Sequence, residues 1–169
     1  MTKFEELCNS YRLSRKKYFD YKNECVNFAE KLVNGMIDHF ECPKEQIKYF
    51  SPKDQVIPDN DSFQSLRGVM TLEDDTFWHF RIGLTLYESH EIITPREIVT
   101  IHILLKKINE RFIVKINTFE EKFEINGNSP EDFEKFYEFI FNKIKEDYEK
   151  DFEIFSEGEK DTVRKIGFK

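Results

Sequence analysis

Trp78-His79-Phe80-Arg81-Ile82-Gly83-Leu84-Thr85-Leu86 is the stretch that decides the fold class of this chain. Its even-numbered residues are apolar and its odd-numbered ones polar or small, the period of a strand with one buried and one solvated face. The alternation recurs from Leu66 to Leu72, Ile98 to Ile108 and Arg111 to Thr118, with Lys122 to Ile125 as a candidate fifth strand and Gln46 to Phe50 as a short edge strand. Glu73-Asp74-Asp75-Thr76 and Asn109-Glu110 are short enough to be hairpin connections, which predicts an antiparallel meander over 66–126.

A helical segment flanks the sheet on each side. From Thr2 to about Phe40 there is no proline, and Gly35 is the only glycine. Phe4, Tyr11, Tyr18, Cys25 and Leu32 recur at every seventh position, and Leu7, Tyr21 and Phe28 form a companion row that Ser14 interrupts. This is the spacing of a coiled coil. A helix through most of segment 1–42 would span roughly 55 Å, far more than the ~20 Å of a typical strand. Three readings satisfy that length, one being a flexible N-terminal third and the other two keeping the segment helical. The helix breaks near Ser14 or Asn23 and both pieces cover the sheet, or it stays continuous and its overhang pairs with a second copy or a partner helix. Phe4, Leu7, Tyr11 and Tyr18 are then the interface residues. Glu41-Cys42-Pro43 ends the segment, because a residue before proline is pushed out of the helical region.

The C-terminal helix, 129–155, has the clearest local signature. Asn126-Gly127-Asn128 turns, Ser129 caps, Pro130 suits the first helical position, and Asp132 completes a capping box. Phe133, Phe136, Tyr137, Ile140, Ile144 and Tyr148 mark one face. Together these elements predict a single α+β domain over 1–169: a long N-terminal helix, an antiparallel meander of four to five strands, and a C-terminal helix packed on one sheet face. The stretch 51–65, with Pro52, Asp54, Pro58, Asp59, Asn60 and Asp61, has no period and reads as a mobile loop. Glu88 to Glu97 reads as an exposed flap, and the chain beyond Ser156-Glu157-Gly158 as a loose charged tail.

Composition narrows the function classes. The 169 residues, 39% hydrophobic and 35% charged, are those of a globular protein with enough chain for a real core. A net charge of -7 argues against general nucleic-acid affinity. The basic run from Arg12 to Lys17 sits among Glu5, Glu6, Asp20 and Glu24 and reads as a solvated helix face. Cys8, Cys25 and Cys42 match no zinc or redox spacing and read as reduced thiols. The sequence starts without a signal-like apolar segment and has no membrane-length apolar run, so the expected location is the cytoplasm.

If the even residues of strand 77–87 are buried, His79 and Arg81 share the other face with His102 and Lys106 of strand 98–108 and Lys115 of strand 111–118. Arg67 joins them if Gly68, Met70 and Leu72 point inward. That face is a candidate site for an anionic small ligand or nucleotide, although antiparallel sheets often carry such residues on a merely solvated face. His79 and His102 would form an acid/base pair if the register brings them together. No nucleophile motif, phosphate loop or metal-ligand spacing accompanies them, so no catalytic residue, metal or cofactor is assigned. Glu88-Ser89-His90-Glu91 and the group Asp54, Asp59 and Asp61 lack cation-site spacing. The expected function is that of a non-enzymatic protein-interaction module that self-associates through its N-terminal helix, without contact to membranes. Ligand binding on the polar sheet face ranks second, and an enzyme using the histidine pair third.

Overall fold

The computed structural model describes residues 1–54, 64–89, 91–94 and 96–157. The first helix, α1 (Lys3–His39), runs unbroken for 37 residues, so neither Ser14 nor Asn23 interrupts it. Thr2 starts it with a reciprocal capping box: the Glu5 N–H donates to Thr2 Oγ1 at 3.2 Å, and the Thr2 N–H donates to the Glu5 carboxylate. It ends where Glu41 adopts the left-handed conformation, φ 51°, just before Cys42-Pro43.

After a 3₁₀ turn come β1 (Ile47–Phe50), α2 (Leu66–Val69), β2 (Thr71–Leu72), β3 (Trp78–Tyr87), β4 (Arg96–Ile108), β5 (Arg111–Ile116), β6 (Lys122–Asn126) and α3 (Pro130–Glu157). All pairings are antiparallel, in the order β1-β3-β4-β5-β6, and the short β2 lies beside β1 on the same edge of β3. From β3 to β6 the sheet is the meander that the short connections predict.

The parity of β3 holds. Trp78, Phe80, Ile82 and Leu84 are buried together with Val99, Ile101, Ile103 and Leu105 of β4, Val114 and Ile116 of β5, and Ile125 of β6. Both long helices cover this face. From α1 it receives Cys25, Phe28, Ala29, Leu32, Val33 and Met36, and from α3 Phe133, Phe136, Tyr137 and Ile140. Each apolar side chain removed from water contributes about 1.5–3 kcal/mol, so this single face is what holds the domain together. Phe28 meets Phe133, and Phe40 meets Phe141, so α1 and α3 run side by side in the same direction. At their close approach a Cβ on Gly35 would overlap Tyr137 Oη, so any side chain there would have to displace the tyrosine.

Three local readings change. Residues 66–69 are helical rather than extended: Ser65 Oγ accepts from the Gly68 N–H, and Leu66, Val69 and Met70 are buried at helical spacing. Gly68 is exposed within this turn of helix, so the expected strand alternation of the segment is absent. Leu72, paired with Trp78, lies on the core side of the sheet and is partly open. The capping carboxylate of α3 also works differently, since Asp132 Oδ2 accepts from the Asn126 N–H at 3.0 Å and ties the helix start to the end of β6. Of the expected mobile loop, residues 55–63 lie outside the described residues, as do residues 90 and 95 of the flap and the tail from 158 onward.

Candidate functional site

The antiparallel register of β3 and β4 places Arg81 opposite His102 and His79 opposite Leu104, so the two histidines are diagonal neighbours on the outer sheet face. Their side chains meet. His79 Nδ1 lies 3.0 Å from His102 Nε2, and His79 Nε2 lies 2.9 Å from Asp75 Oδ2 and 3.1 Å from Asp75 Oδ1. The result is a carboxylate–imidazole–imidazole chain that starts in the β2–β3 hairpin and ends in the middle of β4.

Electrostatics fixes which protons this chain holds. Burial, followed by the charges of His79 and Arg81, pushes His102 down to about 4, so it is neutral near pH 7. Between His79 Nδ1 and His102 Nε2 there is room for one proton only, because two facing N–H groups at that separation repel. The Asp75 carboxyl stays below its ordinary range. Burial acts to raise it, but the Phe77 N–H, the hydrogen bond and charge of His79, and the charge of Lys115 outweigh that effect. Such a chain can hold and pass a proton. It contains no hydroxyl or thiol.

Arg81, Lys106 and Lys115, the other cations predicted for this face, have partners within the fold. Arg81 donates to the carbonyls of Ser51 and Asp54 and so ties the chain after β1 onto the sheet. Lys106 donates to Thr76 Oγ1 at 2.6 Å, and its ammonium lies 5.7 Å from the Phe77 ring centroid. Lys115 sits at 5.3 Å from the same ring. Arg67 is not on this face at all: it lies on α2 and donates to Asn23 of α1 at 2.9 Å.

The face is also drier than the alternation alone implies. His79 is only 8% exposed, Thr100 and Leu104 are buried, and the Phe50 ring lies so close over Gly83 that a Cβ there would collide with it. Thr76 adopts φ 70°, a strained value for a β-branched residue, right beside Asp75.

Asp75 and Phe77 belong to this cluster and escaped the sequence reading. The only signal for Asp75 was an acidic residue in the hairpin next to a strand histidine. The carbonyls of Ser51 and Asp54 leave no trace in residue identity.

A second feature lies at the opposite pole of chemistry. The stripe of α1 that faces the sheet carries Cys25, Leu32 and Met36, and in the N-terminal half it continues as Phe4, Leu7, Tyr11 and Tyr18. These are 74%, 69%, 63% and 44% exposed. The helix leaves the body of the protein at Tyr18, whose ring contacts Trp78 at 6.3 Å, and at Tyr21, whose Oη is hydrogen bonded to the backbone of Lys107. An ion pair from Lys107 to Glu24 pins the same point.

Cys8 is exposed on the free half, Cys25 is buried and Cys42 is half-buried, and all three are free. Among the described residues, no group of three His, Cys, Asp or Glu side chains is placed to hold a metal ion, and no helix is long and apolar enough to cross a membrane. No family model matches the chain, and neither does any curated protein or solved structure.

Proposed function

We propose that this chain is a non-enzymatic protein-interaction module that self-associates through the N-terminal half of α1. The observation that carries this reading is the core-facing stripe of α1, which runs on past the end of the sheet with no other described residue packed beneath Phe4, Leu7 and Tyr11. Phe4, Leu7, Tyr11 and Tyr18 together leave on the order of 500 Å² of side chain open, which is as much as the largest patch on a typical monomer. Two copies meeting along it would bury about 1,000 Å², the lower bound for a specific interface. A free helix of this length is only marginally stable in water, so a packed partner would also stabilise its fold.

Sedimentation velocity over a range of concentrations tests the reading. The full chain is expected to reach twice its 20.4 kDa mass. Leu7→Glu removes one apolar contact of about 1.5–3 kcal/mol from each copy, which weakens association at least about 100-fold. A wild-type chain that stays at 20.4 kDa at every concentration defeats the proposal.

A further inference from the structure

We infer that the two copies pair antiparallel, with their overlap centred near Tyr11 of each. This rests on the self-association proposed above and adds its direction and register.

The first argument is steric. The free stripe of α1 and the stripe pressed on the sheet are one continuous face of one unbroken helix. Packed helices lie 8–10 Å apart. In a parallel pair both stripes face inward along their whole length, so the two sheets would have to share that gap, although a single sheet layer needs about 10 Å. In an antiparallel pair, the second helix takes up beyond the end of the first copy's sheet the position that the sheet holds under its C-terminal half. Each body then lies past the free half of the other's helix, and the two sheets do not share one gap.

The second argument is charge. The first turn of α1 carries Glu5 and Glu6, while Arg12, Arg15, Lys16 and Lys17 follow on the same exposed half. Parallel pairing superposes four cations on four. Antiparallel pairing about Tyr11 instead sets the acidic first turn of each copy level, along the helix axis, with the basic run of the other, so the four cations are no longer stacked on four.

The third argument is apolar fit. With Tyr11 at the axis, Phe4 of one copy faces Tyr18 of the other, so the overlap runs over the free stripe and ends where Tyr18 meets Trp78. Just beyond stands Leu72, paired with Trp78 and hence on the same sheet face, and still 44% exposed. The N-terminal turn of the second copy would cover it.

Cysteine cross-linking reads the direction. Residues 8 and 15 flank the stripe on the same side, so the antiparallel pair sets Cys8 of one copy beside position 15 of the other. Under mild oxidation, full-length Arg15→Cys is expected to form a covalent dimer whose peptide map joins Cys8 of one copy to position 15 of the other, and wild type is expected to form none through Cys8. Adding Leu7→Glu to the same variant should abolish the link. A Cys8–Cys8 link in wild type overturns the inference, since it marks a parallel pair or an overlap centred on residue 8. A dimer by sedimentation that lacks the disulfide between positions 8 and 15 in the variant overturns this register while self-association stands, and a monomer overturns self-association itself.

Discussion

Replacing His102 with Gln should remove a pH dependence that runs against the bulk charge of the protein. His102 titrates near 4 in the folded chain, because it is partly buried and faces His79 and Arg81, and near 6.5 when unfolded. Between those values the unfolded chain binds a proton that the folded chain refuses. Stability is therefore full above about pH 6.5 and falls as the pH drops toward 4. The difference of about 2.5 pH units corresponds to at most ~3.4 kcal/mol, and since His102 is only half-buried, solvent screening leaves about 1–2 kcal/mol. The net charge of -7 works the other way, because acidification relieves repulsion among carboxylates. Urea unfolding of wild type and His102→Gln, near neutral pH and near pH 4.5, separates the two effects, since the carboxylates and His79 are common to both proteins. Wild type should lose about 1–2 kcal/mol more than the variant over that interval. An NMR titration placing the His102 midpoint at or above about 6, or parallel pH dependences in the two proteins, would refute the reasoning.

Gly35→Ala should destabilise the domain by about 1 kcal/mol, because the crowding of its Cβ on Tyr137 Oη outweighs the gain in helix propensity. Tyr137→Phe removes that oxygen, so a double-mutant cycle by urea unfolding should show coupling of about 1 kcal/mol, and strictly additive effects would contradict the contact. Thr76→Gly should raise stability by about 0.5–1 kcal/mol, since glycine accepts φ 70° and the exposed Lys106 hydrogen bond lost with the hydroxyl is weak. A melting temperature unchanged or lowered in that variant would show that Thr76 is not strained.

Long periodic segments were legible from residue order. Trp78, Phe80 and Ile82 announced both the strand and its buried side, and the stripe from Phe133 to Ile144 announced the face of α3, because burial of a whole face imposes a repeat. The continuity of α1 was open, since Ser14 disrupts the apolar row without disrupting the backbone: an exposed serine in a helix costs only a few tenths of a kcal/mol. Leu66 to Leu72 misled because alternation over seven residues is a weak signal, while Ser65 as a cap and the spacing of Leu66, Val69 and Met70 spoke for a turn of helix. In the polar cluster the residue types were visible, but register decided the chemistry. His79 and His102 meet because Arg81 stands opposite His102, and no local pattern states such a pairing. Arg81, Lys106 and Arg67 were recognisable as cations; that they secure loops and helices instead of facing open water depends on where distant backbone carbonyls and side chains fall.

The uninterrupted course of α1 makes it a strut. Thr2 locks one end, Phe28 stacked on Phe112 and Gly35 against Tyr137 clamp the other, and no proline or glycine softens the span between Thr2 and Gly35. Whatever seats on its distal turns therefore sets the attitude of the whole sheet in space, much as a handle sets the angle of a blade. Any assembly built through that strut would hold its sheets at a fixed spacing dictated by helical rise.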